Sequence, residues 1–115
     1  MAGQDYHYDI KYVDRVVDGD TVDITVDLGF DILHKVRVRL EGINTPEIRT
    51  KDIREKAAGI AATDFLDQLL QNATDLTITT EKTGKYGRYI GTLWDNGHSI
   101  NETMVLEGYA ERYEA

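Results

Sequence analysis

The chain has 115 residues, with 21 acidic side chains against 13 Lys and Arg, a formal net charge of −8, and 41% hydrophobic and 30% charged residues. That length fits one small domain spanning residues 1–115, and the balance is that of an ordinary soluble globule, neither disordered nor fibrous. The absence of Cys excludes disulfides, thiol nucleophiles and thiolate zinc sites, and no apolar run approaches the roughly 18 residues of a membrane span.

Tyr6 to Asp18 is rich in aromatic and β-branched residues and stops at Asp18-Gly19, a pair suited to a tight turn, which predicts a first strand. Val22, Ile24, Val26 and Leu28 then alternate with Asp23, Thr25 and Asp27, the period of a strand with one wet face. Gly29 to Asp31 turns the chain, and Val36, Val38 and Leu40 alternate with Lys35, Arg37, Arg39 and Glu41 as a third strand with a basic face. Pro46 breaks the pattern, having no amide hydrogen and biasing Thr45 toward extended geometry. From about Asp52 to near Asn72, Ile53, Ala57, Ile60, Ala61, Phe65 and Leu69 recur at helical spacing and predict one apolar stripe. Leu76, Ile78 and Thr80 mark a fourth strand, and Tyr89 to Trp94 a fifth, paired with it as a hairpin whose turn is bracketed by Gly84 and Gly87. Asp95-Asn96-Gly97 closes that strand. Ser99 and Glu102 form a capping box, so a short helix is expected to run to Glu107 and stop at Gly108.

The order strand, strand, strand, helix, strand, strand, helix is mainly β with α. It suits a five-stranded OB-fold barrel with a helix between strands three and four and a short C-terminal helix. A sandwich or a split α+β sheet is compatible with the same pattern.

Three polar clusters fall at strand ends or turns. Asp18 and Asp20 flank Gly19; alone this is a hairpin turn, and its carboxylates also suit a hard cation such as calcium or magnesium. In VRVRLEGINTPEIR, Arg39 leaves the basic face, Asn44 offers an amide carbonyl, Thr45 a backbone carbonyl and Glu47 a carboxylate. In KTGKYGRY, Lys85, Tyr86 and Arg88 lie on a glycine-bracketed turn, a solvated tip or a phosphate-capturing one. Ser99 is the only serine, and GHSIN is not a G-x-S-x-G elbow; His7, His34 and His98 are scattered, and no P-loop occurs. Phosphodiester hydrolysis uses all three clusters at once, because it needs a cation, guanidinium donors and a carboxylate for water.

DGDTV, RLEGINTPE and KYGR, in this order and at these separations, resemble the staphylococcal nuclease (thermonuclease) family from about residue 12 to about residue 110. The resemblance implies an OB-fold barrel and a calcium-dependent endonuclease acting on DNA and RNA, cutting the bond to the 5′ oxygen and leaving 3′-phosphates. It implies one calcium ion held by the Asp20 carboxylate and the Thr45 carbonyl, with Asn44 as a further ligand. Arg39 and Arg88 match the family's catalytic arginines, Glu47 its proposed general base, and Lys85 and Tyr86 its terminal-phosphate binders. Two departures stand out. Asn44 replaces an Asp, which removes one ligand charge, so weak calcium binding that Asn44→Asp tightens is expected. The chain also stops soon after Gly108, as a naturally minimal or a shortened domain.

Activity is expected to need calcium and to rise toward alkaline pH, in a monomer acting on DNA or RNA with no membrane partner. The first residues, MAGQDYHYDI, lack the regions of a secretory signal, so an intracellular chain or a mature form is expected. The alternatives are a non-catalytic nucleic-acid- or protein-binding OB module and a metal-binding structural domain; the presence of Arg39, Glu47 and Arg88 argues against both. The charge divides by region. Residues 34–56 carry seven basic and four acidic side chains and residues 80–92 three basic and one acidic, leaving three basic and sixteen acidic elsewhere. Both positive segments are those of the implied site, so weak, strongly salt-dependent substrate binding is expected.

Overall fold

The computed structural model describes residues 6–80 and 89–114. Strand β1 (Tyr6–Asp18) runs to the Gly19 turn, and β2 (Thr21–Asp27) returns antiparallel to it. The β1 register shifts between Ile10 and Tyr12, Val13 and Arg15, and Val16 and Asp18. Each shift leaves one β1 residue unpaired and adds right-handed twist, which curls the sheet toward closure. Strand β3 (Leu33–Leu40) pairs with β2 so that Thr21 faces Arg39 at one end and Asp27 faces Leu33 at the other. At the intervening tip the Ile32 amide donates to the Gly29 carbonyl at 2.9 Å, and Phe30 and Asp31 both take positive φ, 56° and 63°.

After β4 (Ile43–Asn44) comes helix α1 (Ile53–Gln71), then β5 (Leu76–Thr80), β6 (Tyr89–Asp95), β7 (His98–Ser99), α2 (Ile100–Leu106) and β8 (Glu111–Arg112). The sheet order β3-β2-β1-β5-β6 closes through a parallel pairing of β3 with β6, Val38 to Tyr89, Arg39 to Ile90 and Leu40 to Gly91. This is the expected closed five-stranded barrel with two helices, mainly β with α. The two-residue strands β4, β7 and β8 are additional to it, and β4 pairs with β8 as a separate small sheet.

The bounds of α1 follow from its caps. Asp52 accepts the amides of Arg54 and Glu55 at 2.9 and 3.2 Å, and Asn72 closes the other end. Its buried face differs from the expected stripe: Gly59, Ala62, Leu66 and Leu70 face inward, whereas Ile53 and Ile60 are exposed. Gly59 and Ala62 take inner positions where the Pro46–Glu47 backbone and the Gly19 turn approach closely, and Leu66 and Leu70 fill the core beyond them. The core gathers Val22, Ile24, Val38, Leu40, Ile78 and Leu93 from the barrel, Ala62 and Leu66 from α1, and Ile100 and Met104 from α2.

Two further devices hold the rim. Buried Asn101 of α2 accepts the Leu93 amide at 3.1 Å and donates to the Glu41 and Gly91 carbonyls at 2.9 and 3.2 Å, so both its donors and its carbonyl serve the seam between β3 and β6. The Ser99 hydroxyl caps α2 by accepting the Glu102 amide at 3.0 Å, as expected, but the Glu102 carboxylate pairs with Arg112 instead of completing a capping box. Residues beyond Gly108 therefore carry structure: β8 braces β4, and the Tyr113 amide donates to the Gly42 carbonyl at 2.8 Å.

Candidate active site

Asp20 follows the turn that joins β1 to β2 and is 8% exposed. The β2–β3 register brings its backbone beside β3, where the Leu40 amide donates to the Asp20 carbonyl at 2.8 Å. Its carboxylate is held on both oxygens. Thr21 Oγ1 donates to Oδ1 at 3.1 Å and the Thr45 amide donates to Oδ2 at 3.1 Å. Arg39 Nη2 lies 3.4 Å from the same Oδ2 and 3.4 Å from Asn44 Oδ1, while Nη1 donates to the Leu40 carbonyl at 2.8 Å. Asp20, Arg39, Asn44 and Thr45 therefore meet in one place.

The turn packs this tightly because Gly19 has no side chain. A Cβ there would stand 2.8 Å from Ala62 Cβ and 2.9 Å from Thr45 Oγ1, so the turn is pressed between α1 and the Thr45 loop. Asp18 shares the confinement. Burial, then a hydrogen bond shared with Asp20 and the Asp20 charge, push its carboxyl up to about 6. Burial acts on Asp20 in the same upward direction, but the hydrogen bonds from Asp18 and the Thr45 amide and the Arg39 charge outweigh it. The Asp20 carboxyl lies below its ordinary value.

The donors Asp20, Asn44 and Thr45 are all oxygen, which fits a hard cation. Among the described residues no three His, Cys, Asp or Glu side chains gather as metal ligands, and of these three donors only Asp20 is a carboxylate. Arg39 sits on two of those oxygens and would share them with the cation. Both features fit weak rather than tight binding.

Glu47 follows Pro46 on the exposed side of the loop. Among the described residues its carboxylate makes no hydrogen bond or ion pair. Its amide does: it donates to Glu55 Oε2 at 3.2 Å. A cleft of about 370 Å³ opens here, bordered by Thr45, Glu47, Glu55, Tyr109 and Glu111. Phe65 of α1 stacks on Tyr109 at 4.2 Å between centroids, which fixes the far wall.

Lys85, Tyr86 and Arg88, with the Gly84 and Gly87 turn, lie outside the described residues. Arg88 immediately precedes Tyr89, which pairs with Val38 beside Arg39. The sequence reading missed Glu55 and Gly59. Gly59 carried a signal, since glycine inside a helix costs about 1 kcal/mol relative to Ala and calls for a reason. A Cβ at Gly59 would stand 2.7 Å from the Pro46 carbonyl oxygen and 2.9 Å from that of Glu47. Glu55 carried none, because an acidic residue in a first helical turn is ordinary.

A closed OB-type barrel with a buried carboxylate, a guanidinium and an exposed glutamate on one rim defines the class. The profile of the staphylococcal nuclease homologues matches residues 37–115, and the chain belongs to that family. It is 36% identical over 99 residues to a thermonuclease of Staphylococcus intermedius, covering 85% of this chain and 56% of that one. Protein ParB of Escherichia coli is 33% identical over 108 residues, covering 86% of this chain and 54% of that protein. Endonuclease YhcR of Bacillus subtilis (strain 168) is 30% identical over 109 residues, covering 88% of this chain and 9% of that protein. The chain thus spans about half the length, or less, of these relatives.

Proposed function

We propose that this chain is a calcium-dependent nuclease that hydrolyses phosphodiester bonds of DNA or RNA at the 5′ oxygen and leaves 3′-phosphates. The observation that carries the reading is the convergence of Asp20, Arg39, Asn44 and Thr45, with Arg39 Nη2 3.4 Å from Asp20 Oδ2, on the rim that also carries the exposed Glu47. The names of the endonuclease and thermonuclease relatives support it.

Asp20, Asn44 and the Thr45 carbonyl would hold the calcium ion, which supplies positive charge for a non-bridging phosphate oxygen when bound. Arg39 and Arg88 bind the phosphate and stabilise the charge that grows on it in the transition state. Glu47 orients the attacking water and accepts its proton; the water oxygen bonds to phosphorus, the bond to the 5′ oxygen breaks, and that oxygen takes up a proton. Lys85 and Tyr86 bind the terminal phosphate. The site is then complete within one domain, as a monomer.

Plasmid and RNA digestion with calcium or with chelator tests this, comparing wild type with Glu47→Gln and Arg88→Ala. Cleavage is expected only with calcium, rising toward alkaline pH and falling at least a hundredfold in either variant, the order of loss when a positioned group is removed. Nucleic-acid binding without cleavage by the wild type would overturn the reading in favour of a non-catalytic module.

A further inference from the structure

We infer that Glu55 is the positioning residue for Glu47, acting through the Glu47 backbone; this rests on the catalytic reading above. The Glu47 backbone carries the exposed carboxylate over the rim, and that backbone is held by α1. Two successive turns on one face of α1 do the holding. Glu55 Oε2 accepts the Glu47 amide at 3.2 Å, and Oε1 accepts the Thr50 hydroxyl at 3.5 Å. One carboxylate thus joins both ends of the segment from Glu47 to Thr50. The Thr50 hydroxyl in turn accepts the Asp52 amide at 3.2 Å, which ties the segment to the cap of α1. One turn further along, the bare Gly59 lets the Pro46 and Glu47 carbonyls rest against the helix backbone.

The glutamate is chemically suited to this role in a way its amide is not. Both carboxylate oxygens accept, so it takes the amide and the hydroxyl together, whereas Gln keeps one acceptor for the amide and can meet Thr50 only as a donor, with that bond reversed and uncharged. Beyond the segment lies the cleft that Glu55 and Glu47 both border, so a released Glu47 has room to move. A displacement of about 1 Å at such a group costs up to about a hundredfold in rate.

The test uses the full chain with Glu55→Ala and Glu55→Gln, each alone and combined with Glu47→Gln, under saturating calcium. Glu55→Ala is expected to lower kcat about tenfold to a hundredfold with KM and calcium affinity unchanged, and Glu55→Gln to fall between it and wild type. In the Glu47→Gln background neither substitution should lower kcat further, because there is no longer a base to position. Hydrogen exchange at the Glu47 amide reads the contact independently of activity and should speed up in Glu55→Ala. Unchanged exchange, an unchanged kcat, or the same fold-loss in both backgrounds overturns the assignment. A wild type that does not cleave, with exchange still accelerated in Glu55→Ala, leaves the contact standing while the nuclease reading fails and takes the positioning role with it.

Discussion

Asp18 and Asp20 share one tight turn and titrate in opposite directions, because only Asp20 receives the Thr45 amide and the Arg39 charge. Asp18 accepts the Asp20 amide at 3.0 Å, but burial and the neighbouring Asp20 carboxyl outweigh that bond. Its folded pKa of about 6 lies above the ordinary 3.8, so its contribution to stability is full below about pH 3.8 and is lost as pH rises through about 6. Asp18→Asn keeps the hydrogen-bonding shape and removes the charge. In the calcium-free protein it should raise unfolding free energy at about pH 7.5 by on the order of 1 kcal/mol, after discounting for solvent screening, and by almost nothing near pH 4. Urea unfolding in chelator at the two pH values measures this; equal gains at both would assign the effect to packing.

At the level of elements, α1 is where sequence patterning and packing diverge. Its ends were legible from where the helical spacing starts and stops, near Asp52 and Asn72, but counting large apolar residues selected Ile53 and Ile60, which face solvent. At Gly59 the inner face is set by close approach to the Pro46–Glu47 backbone, a tertiary fact that hydrophobicity does not encode. Gly59→Ala should therefore destabilise the protein by about 1 to 3 kcal/mol despite the better helix propensity of Ala, and should lower cleavage as well. Thermal unfolding with a parallel activity assay decides; a stabilised, fully active variant would mean the loop gives way freely. The β2–β3 tip offers the opposite case. Phe30 is 97% exposed and sits with Asp31 at positive φ, which Asp tolerates but a bulky aromatic does not. Replacing the pair by Asn-Gly, which favour that turn, should stabilise by about 1 kcal/mol with no change in activity, as read by urea midpoint. The turn itself was legible from Gly29; its handedness was not.

For the whole molecule, the net charge of −8 describes the body and not the rim, since the segments at residues 34–56 and 80–92 are the basic ones. Substrate contact through Arg39, Lys85 and Arg88 would neutralise about three phosphates, giving a salt slope on the order of −2 for single strands. Raising monovalent salt about threefold should then raise KM roughly tenfold with little change in kcat. A KM indifferent to salt would move the binding energy off these three side chains. The residues of the rim were legible because each sits at a turn, at a strand end or beside Pro46; what closes the rim was not, since β4, β8 and the bonding of Asn101 depend on contacts far apart in the chain. The same remoteness sets an order of events. The pairings of Tyr6–Asp9 with Thr77–Thr80 and of Val38–Leu40 with Tyr89–Gly91 join stretches that α1 separates, so they close the long loops of the barrel and are expected late in folding. A refolding chain would regain its helix and hairpins first and its chemistry last, which makes recovery of cleavage a clock for barrel closure.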